Sequence, residues 1–311
     1  MKIILKKKKE KSYSTGKGLI LFLIPTVVYL LIFHYLPMSG LVIAFEDYNS
    51  YQGIFGSPLA KNYGFANFIN FFNMPNFWLI IKNTLVISVY SIVVNTILPI
   101  ILALFINEIR NKHFKKTVQT ISYAPYFVST VVCVGMIFAF SNYEHGIFNT
   151  IAKFFGGKPS NMLESDTWFS TIYVVSGLWQ GLGWWAIIYV GALANANMEL
   201  HEAAVLDGAN RLQRIWHINL PTIIPMAIIM FILSVGNILS VGFEKVFLMQ
   251  TSGNLGASEI LSTYTYRVSL MSRIPQYSYA TAIGLFNSVV SMVMLIAVNK
   301  IAKKVGDTSL W

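Results

Sequence analysis

The chain has 311 residues, 55% of them hydrophobic and 12% charged, with a mean hydropathy of +0.58. Soluble domains carry about 25% charged residues, so the composition excludes a soluble globular protein. The formal charge of +10 comes largely from Lys and Arg flanking apolar runs, which ties it to membrane orientation and leaves nucleic-acid binding without support.

In chain order, apolar windows lie near residues 18–37, 78–106, 119–141, 168–193, 222–249 and 279–301. A helix of about 20 apolar residues crosses a bilayer core of about 30 Å. The alternating ten-residue segments of a membrane barrel are missing. The expected fold is therefore an all-α polytopic membrane protein with six transmembrane helices. A basic head covers residues 1–17, a membrane domain 18–301 and a tail 302–311. No A-x-A-like site follows the first apolar run, so it reads as a retained helix rather than a signal peptide.

Three longer connections are expected on one side: Leu41–Phe77, Asn142–Thr167 and Gln250–Ser278. The aromatics of the first suit a short amphipathic segment at the interface. With both termini on the opposite side, sixteen of the 23 Lys and Arg fall there: the head, Arg110 to Lys116, Arg211 and Arg214, and Lys300 to Lys304. The positive-inside rule makes that side cytoplasmic. Cys133 is the single cysteine, which precludes an intrachain disulfide and a multi-cysteine metal site. Inside the third window it is expected to pack as a small apolar residue, and no metal site is expected anywhere.

The segment Glu199–Pro221 (ELHEAAVLDGANRLQRIWHINLP) is a polar island between two apolar runs. Met198–Asp207 suits a short helix, with acidic residues near its start favoured by the dipole. Ala203 and Ala204 leave one surface free of bulk, so this helix can sit in a groove of another protein. Gly208 can take a positive φ and turn the chain. Asn210–His217 suits a second short helix, which Leu220-Pro221 is expected to end before opening the next span. An ordinary amphipathic loop would account for any one of these residues. The combined spacing is more particular: Glu202-Ala203-Ala204, three residues, Gly208, nine residues, then Ile218-Asn219-Leu220-Pro221.

That spacing resembles the EAA loop of binding-protein-dependent ABC importers. The chain as a whole resembles a permease subunit of a type I ABC importer of the carbohydrate-uptake class, in the branch that takes up oligosaccharides or polysaccharide fragments. The resemblance also rests on residues 37–58 (PMSGLVIAFEDYNSYQGIFGSP), 83–88 (NTLVIS), 107–130 (NEIRNKHFKKTVQTISYAPYFVST) and 183–193 (GWWAIIYVGAL). Near the end it rests on 263–270 (TYTYRVSL), 277–293 (YSYATAIGLFNSVVSMV) and Leu310-Trp311. His201 departs from the family, where an aromatic such as Tyr is frequent, and so does Ser269, where Gly is frequent.

The resemblance implies a type I importer transmembrane fold with both termini cytoplasmic, in a bacterial cytoplasmic membrane. It implies four further components: a second permease subunit, usually different from this one; an ATPase dimer binding ATP and Mg²⁺; an extracellular binding protein, often a lipoprotein; and an oligosaccharide cargo. Glu202, Ala203, Ala204, Asp207, Gly208, Leu220 and Pro221 would form the ATPase-coupling loop. No cofactor is expected on this chain, and no catalytic residue.

Sugars are recognised by aromatic faces and by amide or hydroxyl groups, and polar groups within the bilayer mark a path. The fourth window carries Trp179, Gln180, Trp184 and Trp185; the fifth carries Ser234, Asn237 and Ser240 at i, i+3, i+6 spacing, one helical face. Trp179, Gln180, Trp184, Ser234 and Asn237 are the candidate substrate-path residues. Interfacial tryptophans and interhelical Ser/Asn bonds explain the same residues individually. Glu244 and Lys245 suit contact with a binding protein, pairing with other loops, or snorkelling to the surface; a proton relay is the alternative, against which stands their place near a span boundary. No G-x-x-x-x-G-K-[ST] loop occurs, and Gly156-Gly157-Lys158-Pro159-Ser160 only superficially suggests one. An ion-coupled secondary transporter would need a mid-membrane charge and an internal repeat, neither of which is expected here. A membrane transferase or hydrolase would need a nucleophile motif or metal cluster, and an ABC permease for a non-sugar solute is the nearer alternative.

Overall fold

The computed structural model describes residues 15–306 and 308–311; most of the expected basic head, residues 1–14, lies outside them. Among the described residues the chain is helical, with one isolated antiparallel bridge between Glu46 and Leu59. The main helices are α1 (Thr15–Leu30), α2 (Ala66–Phe72), α3 (Phe77–Glu108), α4 (Lys112–Tyr123), α5 (Thr130–Ser141), α6 (Ile147–Phe154) and α7 (Asp166–Leu193). There follow α8 (Met198–Leu206), α9 (Arg211–Arg214), α10 (Leu220–Gly236), α11 (Phe243–Met249), α12 (Leu255–Ser258), α13 (Leu261–Tyr266) and α14 (Tyr277–Gly306). Four stretches are long and apolar enough to cross a membrane: Ile20–Phe45, Phe77–Glu108, Arg211–Gly236 and Tyr277–Lys304. A fifth is reached if the bent pair Lys112–Phe127 and Thr130–Ser141 counts as one. Helix α7, 28 residues long, has the length to cross, but its Trp, Gln and Gly content makes it less apolar than those four.

Three expected spans are corrected. The first does not stop near residue 37; helical geometry continues through a π turn and a 3-10 segment to Phe45. The window 119–141 is not one straight helix, because the chain bends by 94° within it. Pro125 lies at the start of the 3-10 turn Ala124–Phe127, Val128 and Ser129 are extended, and the Ser129 hydroxyl accepts from Val132 N–H to restart the helix. The window 222–249 breaks after Gly236, where Asn237 takes up a non-helical conformation before α11 begins.

Helix α7 lies along α3, and α10 packs against both and against α14. Small residues allow the closest approaches, as membrane helix packing requires. Ala103, Ala186 and Tyr189 pack with Leu193 and Ile223 at one end of this bundle. A second cluster joins Phe71 and Phe77 to Ile80, Leu239, Leu261 and Ile283. Phe71 is fully buried, so the aromatic connection after the first helix is a packed wedge as well as an amphipathic segment. Cys133 is free and buried among Ile87, Val134, Phe169 and Met249. By contrast, residues 20–39 leave their apolar side chains uncovered, the condition of a helix that meets lipid or another subunit.

Buried polar side chains fasten the loops to this frame. Asn83 Nδ2 donates to Gly256 O at 2.8 Å, Thr84 Oγ1 accepts from Leu261 N–H, and Ser88 Oγ donates to Ile238 O. The NTLVIS stretch of α3 therefore holds two returns of the chain, the break after α10 and the connection around residues 256–261. Asn254 is fully buried and uses its whole amide. Its Nδ2 donates to Leu163 O and Met249 O, and its Oδ1 accepts from Thr251 N–H and Ser258 Oγ. Asn254→Ala strands these partners and is expected to destabilise the protein by about 2–4 kcal/mol, read as an earlier melting transition in detergent. Gly156 at φ +80° and Gly157, whose N–H donates to Ala152 O, simply close the end of α6.

Candidate functional site: an exposed knuckle and a polar cavity

Two features stand out, at opposite ends of one helix. The first is the island after α7. Asn197 caps α8 by accepting from Glu199 N–H, and α8 ends at Leu206. Gly208 takes φ +79°, its N–H donates to Val205 O, and Ala209 N–H donates to Ala204 O. Asn210 and Gln213 then form a reciprocal capping box that starts α9. Glu202, Ala203, Asp207 and Gly208 are exposed, together with the apolar Val205, Leu206, Leu212 and Trp216. A hollow of about 320 Å³ lies between the two short helices, lined by Ala204, Asp207, Gly208, Gln213, Arg214 and His217.

The second short helix does not end at Leu220-Pro221 as the sequence suggested. It runs without a break into the membrane-crossing stretch Arg211–Gly236. Pro221 has no N–H to offer, and a π turn over Ile215–Asn219, with Leu220 N–H on Ile215 O, carries the helix past it. Leu220 and Pro221 therefore lie within this helix, one turn from the hollow. Asn219 sits fully buried there, its Nδ2 3.4 Å from Glu108 Oε1 at the end of α3. The sequence reading did not single out Asn219 for itself; a polar residue in an apolar run beside Pro was the available signal.

The second feature is a cavity of about 600 Å³ between α3, the elbow after α4, α7 and the break after α10. Gln180, Ser234 and Asn237 line it, and so does Trp185. The elbow contributes Tyr126, Val128, Ser129 and Thr130, and α3 contributes Ser88 and Asn95. Gln180 Nε2 donates to Val128 O at 2.6 Å and so ties α7 to the elbow. Trp184 is not among the lining residues: its ring stacks on Tyr126, centroids 4.4 Å apart and planes 6° apart. Trp179 faces a separate apolar cavity with Cys133, Met136, Phe140 and Trp168. The proposed polar row is also altered. Ser234 is helical and bonds Met230 O, Asn237 ends α10, and Ser240 lies beyond it, accepting from Asn287 of α14.

Lys245 is the main surprise. It does not snorkel: it is 8% exposed and lines the cavity. Its Nζ donates to Tyr173 O at 3.1 Å and lies 5.0 Å from the centre of the Tyr173 ring. The break after α10 turns α11 inward and brings the ammonium there, which a continuous helix over 222–249 would not suggest. Glu244, its neighbour, remains exposed. Among the described residues no group of His, Cys, Asp and Glu is arranged to hold a metal.

Residues 95–307 match the family described as binding-protein-dependent transport system inner membrane component. The chain is 39% identical over 99% of its length to the polygalacturonan/rhamnogalacturonan transport system permease protein YteP of Bacillus subtilis (strain 168), of which it covers 96%. It is 37% identical to protein LplB of the same organism, with full coverage of both chains. Among solved structures, a chain of a bacterial alginate ABC transporter, in complex with an alginate pentasaccharide-bound periplasmic protein, superposes with TM-score 0.86. Identity there is 34%, covering 97% of this chain and 100% of that one. The chain thus belongs to the family of inner-membrane components of binding-protein-dependent transport systems, a multi-pass transport subunit rather than an enzyme.

Proposed function

We propose that this member of the family is the permease subunit of an ATP-driven importer of oligosaccharides or polysaccharide fragments. It crosses the bacterial cytoplasmic membrane six times, with both termini and the Glu199–Pro221 island in the cytoplasm. It forms half of the translocation path with a second, different permease. A pair of ATPase subunits, carrying the ATP and Mg²⁺, docks on Glu202, Ala203, Ala204, Asp207 and Gly208, and an outer binding protein, a lipoprotein, delivers the sugar. The saccharide passes Gln180, Ser234 and Asn237.

One observation carries the reading: the helix Arg211–Gly236 is unbroken. Its 26 residues span about 39 Å at 1.5 Å each. One end holds the exposed knuckle, and the other ends at Ser234 and Asn237 in the polar cavity. A push on the knuckle can therefore travel to the cavity along one continuous helix, a two-state element that a distant ligand can bias. The cavity's hydroxyls and amides beside Tyr126 and Trp185 match the chemistry of sugar rings. The relatives named for polygalacturonan, rhamnogalacturonan and alginate support the cargo class.

Reconstitution of this chain with the companion permease, ATPase and binding protein in liposomes tests the reading. Uptake of a saccharide that stops when the ATPase is inactivated is the expected result. Uptake sustained by an ion gradient without ATP would overturn it.

A further inference from the structure

We infer that Lys245 reads a carboxylate on the cargo, so that the path favours uronate-bearing saccharides over neutral ones. This rests on the importer reading above. Of the described residues lining the cavity, Lys245 is the one with a formal charge; its polar companions, among them Ser88, Asn95, Gln180, Ser234 and Asn237, are neutral. No Asp or Glu lines the cavity, and no ion pair to Lys245 occurs among the described residues. A buried ammonium without a counter-charge is unfavourable, and an anion entering the cavity offsets that cost.

The local construction leaves room for this role. Among the described residues the one hydrogen bond of Nζ goes to Tyr173 O, a neutral carbonyl, and the ammonium has three N–H groups. Gly177 stands opposite, where an added Cβ would lie 3.3 Å from Nζ. Any larger residue at that position would fill the space beside the ammonium. The Tyr173 ring at 5.0 Å steadies the positive charge from another side without neutralising it. A carboxylate arriving from the cavity meets a positioned donor, and its hydrogen bond is charge-assisted.

The test uses the reconstituted importer with trigalacturonate and with its fully methyl-esterified form, which has the same rings and no charge. Wild-type protein and the variants Lys245→Met and Lys245→Arg are compared with one binding protein, so that its own preference cancels. Lys245→Met is expected to lower the acidic-to-esterified uptake ratio by about tenfold or more, and Lys245→Arg to keep most of it. An unchanged ratio in Lys245→Met, with uptake of both probes kept or with both falling together, overturns the inference and leaves the importer reading standing. Failure of wild-type protein to take up either saccharide under ATP would overturn both.

Discussion

Gly208→Pro is expected to abolish ATP-driven uptake while leaving the protein folded in the membrane. The turn between the two short helices depends on φ +79° at this position, and proline is locked near −65°. Proline also removes the N–H that bonds Val205 O. The chain cannot make the same turn, so α8 and α9 no longer present one surface. Losing about 3 kcal/mol of docking energy weakens association by about a hundredfold. Gly208→Ala separates conformation from bulk: nothing lies within 4 Å of an added Cβ, so only the left-handed strain remains. That strain is about 1–2 kcal/mol, and substantial uptake should persist. Glu202→Lys inverts an exposed charge on α8 and is expected to lower uptake without lowering the melting temperature. Co-purification with the ATPase and ATP-dependent uptake are the measurements. Full uptake by Gly208→Pro would remove the knuckle from the coupling path.

Composition and spacing made the membrane class and the knuckle legible because both depend on local rules. Apolar runs report solvent, and Gly208 reports where the chain turns, as its positive φ bears out; the caps Asn197 and Asn210/Gln213 come from the structure. The cavity was less legible because it is created by departures from regular helix. Hydropathy sees residues 119–141 as one run, yet Pro125 and Ser129 bend it, and that bend is what brings Ser129 and Thr130 into the cavity. The same blindness applies to 222–249. A break at Asn237 costs no hydropathy, but it changes Lys245 from a surface charge into the ammonium of a buried site. Trp179 and Trp184 illustrate the complementary limit. Residues five apart on a helix point in different directions, so a run of tryptophans cannot all face one path.

The elbow itself gives the second large effect, at Gly183. A Cβ built there would clash with the backbone O and C of Ser122, atoms that no rotamer change can move aside. Gly183 on α7 is thus the seat on which the end of α4 rests, and the elbow beyond it carries Tyr126, Val128 and Ser129 into the cavity. Gly183→Ala must push the two helices apart, at about 1–3 kcal/mol, and Gly183→Val at the upper end or beyond. Each kcal/mol lowers the melting temperature of a 150–250-residue domain by about 2–4 °C, and the shift shrinks as chains lengthen. Two other glycines of α7 discriminate this clash from a general effect of added side chains. At Gly181 the obstacle is the Trp185 side chain, which can swing, so Gly181→Ala should cost less. At Gly191 nothing lies within 4 Å, and Gly191→Ala should be neutral or stabilising by about 0.5–1 kcal/mol. If melting in detergent ranks Gly183→Ala level with Gly191→Ala, the elbow does not rest on Gly183. Because the displaced segment is also cavity wall, Gly183→Ala should lower uptake of both acidic and esterified trigalacturonate. That common loss separates a deformed wall from a missing charge at Lys245.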